Sequence, residues 1–375
     1  MNDPSIFRSR WSLLPGFALA AILAIGLIAS IEALIFRHAD WSGGFSLQAL
    51  AGGDATSALS KSLQREMPFA DALVTADRVF GWVALGDLGP RVRRGCDGWL
   101  FLADELVVHP GREQVFHARL AMIERVARFL EPRSIALVVA PVPDKSRLAT
   151  PYLCGIERAP ALADRLQGFA AGLKARNIKA VDLLPALSAR DGEGYYRTDT
   201  HWNEQGARRV AEAIAANLRR WELAPSAQLT FELTAEPERE RVGDLIRLAG
   251  LDRVSPPMRP RGDLESPVRI KQIPKQAVGI LDDVAAPEVT VIGTSFSRRG
   301  GFVGYMSLVL AAPVANMAQD GGGVFTAAID YFRNPAFTET PPRVIVWEIP
   351  ERLLDEPLAD SEQSWAESLM PRPLR

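Results

Sequence analysis

His201 and Ser295 are the two residues on which chemistry could be built. The chain has four histidines. His38 abuts an apolar N-terminal stretch, and His109 and His117 have no cysteine or carboxylate pattern around them, so both read as structural rather than metal-binding. His201 stands in Thr198-Asp199-Thr200-His201-Trp202-Asn203. An imidazole titrates near ~6.5 and can take a proton at neutral pH, while a nearby carboxylate, here Asp199, can orient the ring and stabilise its charged form. The alternative is a histidine that caps or packs on its own helix. Ser295 stands in Val291-Ile292-Gly293-Thr294-Ser295-Phe296-Ser297, an apolar strand running into a glycine turn. Such a turn exposes a hydroxyl at the end of a strand and aims backbone N–H groups at an oxyanion. A helix cap by Thr294, Ser295 or Ser297 is the competing explanation.

The surrounding pattern predicts α/β architecture, the setting in which such loops collect at the carboxyl ends of strands. Ser134–Pro141 is a continuous apolar run expected of a strand buried on both faces. Helical spacing follows over Ala161–Arg176, a strand over Ile178–Leu184, and a helix over Asn203–Trp221 with Asn203 as its N-cap. Residues 222–288 break the rhythm and read as an insertion, with a strand expected at Thr230–Leu233 and a proline-rich stretch from Pro256 to Pro274. The pattern resumes with a strand at Glu288–Ile292, a helix from about Ser297, and a strand at Pro313–Met317. After these come a glycine turn at Gly321–Gly323, a helix to Phe332 and a strand at Arg343–Glu348. Upstream, residues 38–60 read as a linker, helical spacing runs from near Ser60 to about Leu85, and Asp97–Leu102 is a turn feeding an apolar strand.

Lysine plus arginine (43) nearly balances aspartate plus glutamate (45), so no global field favours nucleic acid. Trp11–Ile31 carries no charged side chain and is close to the ~20 apolar residues that span a bilayer. Arg8 and Arg10 precede it, which orients the remainder outside the inner membrane. Residues 1–36 are therefore expected to be an anchor or signal segment, favouring an uncleaved anchor, and 37–375 the catalytic domain. The two cysteines, Cys96 and Cys154, fall in the exported part, where a disulfide or two buried thiols would both be tolerated.

Taken together, Gly293-Thr294-Ser295-Phe296-Ser297 and Asp199-Thr200-His201-Trp202 resemble the motifs of the alginate O-acetyltransferase family of AlgJ- and AlgX-like proteins, relatives of the SGNH hydrolases. Asp97–Phe101, Pro141–Arg147, Gly243-Asp244-Leu245 and Trp347–Arg352 extend the likeness over roughly residues 60–355. The N-terminal anchor lies nearer the AlgJ side of that family. The resemblance implies a three-layer α/β/α SGNH-like fold, circularly permuted because His201 precedes Ser295. It implies Ser295, His201 and Asp199 as catalytic residues, with an acetyl-serine intermediate, a polysaccharide substrate, a membrane-bound O-acyltransferase as acetyl supplier, and no cofactor or metal. It departs from ordinary SGNH hydrolases in its Asp-x-His spacing and in Glu348, which stands where many of them carry an oxyanion-hole asparagine. The Ser295 N–H and the Gly321–Gly323 turn are then the candidate oxyanion donors. An acetyl esterase with the same triad, or a polysaccharide-binding scaffold subunit, are the rival functions.

Overall fold

Five short apolar runs form one parallel sheet in the order Val314–Asn316, Val289–Ile292, Val344–Pro350, Ala136–Val142, Lys179–Ala180. This computed structural model describes residues 14–35, 47–67, 69–188, 193–273 and 286–369. Every residue of Val289–Ile292 and Val344–Pro350 is buried, as strands covered on both faces require. Side chains alternate across the sheet and feed two cores. Val138, Ala140, Val291, Val344 and Val346 pack with Val210, Ile214, Phe302 and Met306 from helices Glu204–Arg220 and Phe302–Leu310. Leu137, Val139, Ile345 and Trp347 pack on the opposite face with Ile123, Val126, Phe169 and Trp365 from helices Arg112–Leu130, Arg165–Ala175 and Asp360–Ser368. The result is three layers.

Counting strands from Val289 and joining the N-terminal half after the C-terminal half gives the order 2-1-3-4-5. That is a doubly wound order, and its switch point lies between Val289–Ile292 and Val344–Pro350. Ser295 follows the first of these two strands, so the permutation leaves the serine turn where such sheets bind ligands.

Several elements differ from expectation. The strand expected at Ile178–Leu184 is confined to Lys179–Ala180, because Asp182 Oδ1 accepts the Leu184 N–H at 3.0 Å and Pro185 opens a short helix, Leu184–Leu187. The helix expected from Ser297 is only a 3-10 turn, Ser295–Arg298. The α-helix starts at Phe302, after Gly300 and Gly301 at φ 60° and 68°. Gly300 must be bare there: a Cβ would come within 3.0 Å of Trp202 and Ala207. From Leu47 onward the expected linker is helical (Leu47–Gly52, then the start of Asp54–Glu66), since its alanines and leucines are good helix formers. Residues 36–46, His38 among them, lie outside the described residues.

The chain divides into two units, Met1–Phe80 and Gly81–Arg375. The first contains the apolar helix Leu14–Ile35, whose 22 residues measure ~33 Å at 1.5 Å per residue, enough to cross a bilayer. In the second, Cys96 and Cys154 form a disulfide with Cα atoms 5.7 Å apart. Two antiparallel ribbons occupy the segment read as an insertion: Thr230–Ala235 with Val268–Ile273, and Arg239–Arg241 with Asp263–Glu265. A short helix, Asp244–Leu248, follows the Arg239–Arg241 strand.

Candidate active site

The serine turn is built on a buried carboxylate. Glu348, next after Trp347 in the strand paired with Ile292, accepts the Thr294 N–H at 2.7 Å, the Thr294 hydroxyl at 3.0 Å and the Ser297 hydroxyl at 3.1 Å. Burial pushes its carboxyl up from the usual range, and these hydrogen bonds oppose the shift. Glu348 therefore does not play the asparagine's donor role; it braces the turn. Gly293, at φ 152°, passes so close that a Cβ would sit 2.6 Å from Glu348 Oε2. Thr294 caps the 3-10 turn by accepting the Phe296 N–H, and Ser295 is half-buried.

The histidine side is an Asx-type turn. Asp199 Oδ1 accepts the His201 backbone N–H at 3.0 Å and lies 2.5 Å from His201 Nδ1. One residue between aspartate and histidine suffices because the same oxygen meets both the main chain and the ring. His201 Nε2 lies 2.6 Å from Ser295 Oγ across 94 residues of sequence. Asp199 and His201 are 1% and 4% exposed, so the pair is shielded, whereas Ser295 is half-buried. Burial would raise the Asp199 carboxyl, but the His201 ring and the Arg241 guanidinium win and hold it far below the ordinary carboxylate range. Trp202 packs on Phe296 and Phe302 with ring centroids 5.0 Å away in each case, joining the residue after the histidine to the residue after the serine.

Residues 197–200 are held from two sides. From the short helix Lys145–Leu148, the Lys145 ammonium donates to the carbonyls of Arg197 (2.8 Å) and Asp199 (2.9 Å), and its burial pulls its pKa down to about 8. From the ribbon, Asp263 accepts the N–H groups of Arg197 and Thr198, Arg241 Nη2 meets Asp199 Oδ2 at 2.9 Å, and Asp244 accepts the Thr200 N–H at 2.7 Å. Arg241 and Asp263 went unnoticed in the sequence, where they look like solvated charges. Asp144 and Glu351, which follow the paired strands Ala136–Val142 and Val344–Pro350, form a further cluster with Arg147, Arg158 and Arg165. Burial and the neighbouring Glu351 push Asp144 up to about 8.

Asp199, His201 and Asp244 also form the one ligand-type group of three among the described residues. Within that group Asp199 Oδ1 and His201 Nδ1 are 2.5 Å apart, a hydrogen bond between two of its three members. Of the two candidate oxyanion donors, Ser295 N–H heads the 3-10 turn, while Gly322 and Gly323 abut Thr326 and Glu362.

A family model described as "SGNH hydrolase-like domain, acetyltransferase AlgX" matches residues 92–351. The probable alginate O-acetylase AlgJ of Pseudomonas aeruginosa is 30% identical over 369 residues, covering 92% of this chain and 94% of that one. Its counterpart in Pseudomonas putida is 34% identical over 274 residues, 71% of this chain and 70% of that one. Among solved structures, the O-acetyltransferase domain of Pseudomonas putida AlgJ superposes with a TM-score of 0.67 at 31% identity, covering 75% of this chain and 99% of that one. Pseudomonas aeruginosa AlgX, at 19% identity and a TM-score of 0.57, covers 74% of this chain and 66% of that one and shares the fold.

Proposed function

The chain belongs to the AlgJ/AlgX alginate O-acetylase family, and from that membership we propose that it transfers acetyl groups to an exported polysaccharide through Ser295, His201 and Asp199. The observation that carries this reading is the continuous contact from Asp199 through His201 to a half-buried Ser295 hydroxyl. His201 Nε2 takes the Ser295 proton as Oγ bonds to the acetyl carbonyl carbon, and the same nitrogen returns the proton to the departing oxygen of the donor. A sugar hydroxyl then gives its proton to His201 as its oxygen bonds to the acetyl carbon, the bond from that carbon to Ser295 Oγ breaks, and the proton passes from Nε2 to Oγ. Asp199 keeps the Nδ1 proton in place, so that Nε2 is free to accept. The Ser295 N–H supplies a donor to the oxyanion in both halves.

The apolar helix Leu14–Ile35 supports a placement at the inner membrane with the catalytic unit outside the cytoplasm. There the acetyl supply would pass through a membrane-bound O-acyltransferase. Replacing Ser295 with alanine should reduce the acetyl content of the cell's exopolysaccharide to that of a deletion strain while the protein remains present. An unchanged acetyl content would remove Ser295 from the reaction.

A further inference from the structure

Sequence position sets residues 239–265 apart from the α/β core, yet these residues grip each successive position of the loop that carries the histidine. Asp263 takes the N–H groups of Arg197 (2.8 Å) and Thr198 (3.0 Å) and the Thr198 hydroxyl (2.5 Å). Arg241, its cross-strand partner, reaches Asp199 Oδ2 at 2.9 Å, and the Asp244 N–H reaches the same oxygen at 3.1 Å. The Asp244 carboxylate then takes both the N–H (2.7 Å) and the hydroxyl (2.5 Å) of Thr200, the single spacer in Asp-x-His, and its Oδ2 lies 3.4 Å from His201 Nδ1. Contact is too close for any side chain at Gly243, whose Cβ would stand 2.0 Å from the Thr198 carbonyl oxygen.

Arg241 is itself aimed. Its guanidinium lies over the Tyr196 ring at 4.7 Å, Tyr196 donates to Glu265 at 2.9 Å, and Glu265 Oε2 is 3.9 Å from Arg241 Nη1. With one Asp199 oxygen on the histidine and the other on Arg241 and Asp244, the carboxylate has no freedom to rotate.

We propose that Arg241 and Asp244 are positioning residues that set the Asp199–His201 pair for proton transfer from Ser295. This rests on the triad reading above. Arg241 also places a cation behind the carboxylate. The other groups facing the His201 ring are Asp199, Asp244, the Thr200 hydroxyl at 3.3 Å, the Ser295 hydroxyl and the Phe296 ring, with the Lys145 ammonium on the Asp199 carbonyl and Arg352 over Phe296. Removing the cation leaves the histidine facing more net negative charge, which favours its protonated form. The acidic limb of kcat/KM must then move to higher pH.

The test uses the full chain in detergent with p-nitrophenyl acetate as the probe, comparing wild type, Arg241→Met, Arg241→Lys, Asp244→Asn and Ser295→Ala. Arg241→Met is expected to lower kcat by about 10- to 100-fold, the size of a small misplacement of reacting groups. KM should change little and the acidic limb should move up, with Arg241→Lys restoring part of both. Asp244→Asn is expected to lower kcat with the limb less affected. Wild-type kcat and an unmoved limb in Arg241→Met, alongside an inactive Ser295→Ala, overturn this proposal and leave the triad standing. Turnover retained by Ser295→Ala overturns the triad reading itself. If thermal melting shows that Arg241→Met does not fold, Arg241→Lys and Asp244→Asn decide, and wild-type behaviour in both overturns the proposal.

Discussion

Asp199 is held from behind by Arg241 and by the Asp244 N–H, and the turn that carries Ser295 is held by Glu348. Asp199, His201 and Ser295 were candidates by residue type, but the Asp-x-His motif and the glycine turn each left a helix-capping alternative open until the family resemblance joined them. Glu348 was noticed as an anomaly, an acid where a donor was expected, and its function became clear only when its three donors were in view. The turn is correspondingly intolerant. Gly293→Ala would force a Cβ against Glu348 at a φ that side chains rarely adopt, a strain of about 1–3 kcal/mol before any displacement of Ser295. Thermal melting should fall and turnover should drop by more than the loss of folded protein explains. A Gly293→Ala protein with wild-type stability and rate would mean that the turn is not braced in this way.

At the scale of elements, the long periodic segments could be read and the short ones could not. Glu204–Arg220 has a full apolar stripe and an asparagine cap whose side chain accepts the Gly206 N–H at 2.9 Å, so both its face and its start were visible. Lys179–Ala180 pairs over only two residues, and the polar turn after it, not its apolar content, decides where it stops. The ribbon Arg239–Arg241 and Asp263–Glu265 carries charges toward the site, which inverts the usual rule that charged strands face solvent. The disulfide was left open in the sequence because two cysteines carry no geometry. It closes a 58-residue separation and ties Cys96, just before the strand Leu100–Leu102, to the turn after Thr150–Tyr152. Replacing both cysteines with serine should lower stability by about 2–4 kcal/mol, read from denaturant melts of the oxidised protein and its variant. Equal midpoints would show that the bridge adds nothing to the fold.

For the molecule as a whole, the sheet order made sense of a chain in which the base comes before the nucleophile. Rotating the strand order to 2-1-3-4-5 puts Ser295 at the switch point and brings the histidine loop, which follows Lys179–Ala180 in the chain, to the same carboxyl edge. Strand and helix rhythm implied the parallel sheet, but not which strands are neighbours, since that depends on crossovers that leave no local trace. The family resemblance supplied the permutation. The most direct measurement of the central claim is peptide mass spectrometry of the protein mixed with p-nitrophenyl acetate and quenched in acid within one turnover. The proposed chemistry predicts one added acetyl group on the peptide containing Ser295, lost on addition of an acceptor sugar and missing from Ser295→Ala. An acetyl group carried on another residue during turnover, or turnover by Ser295→Ala, would contradict it.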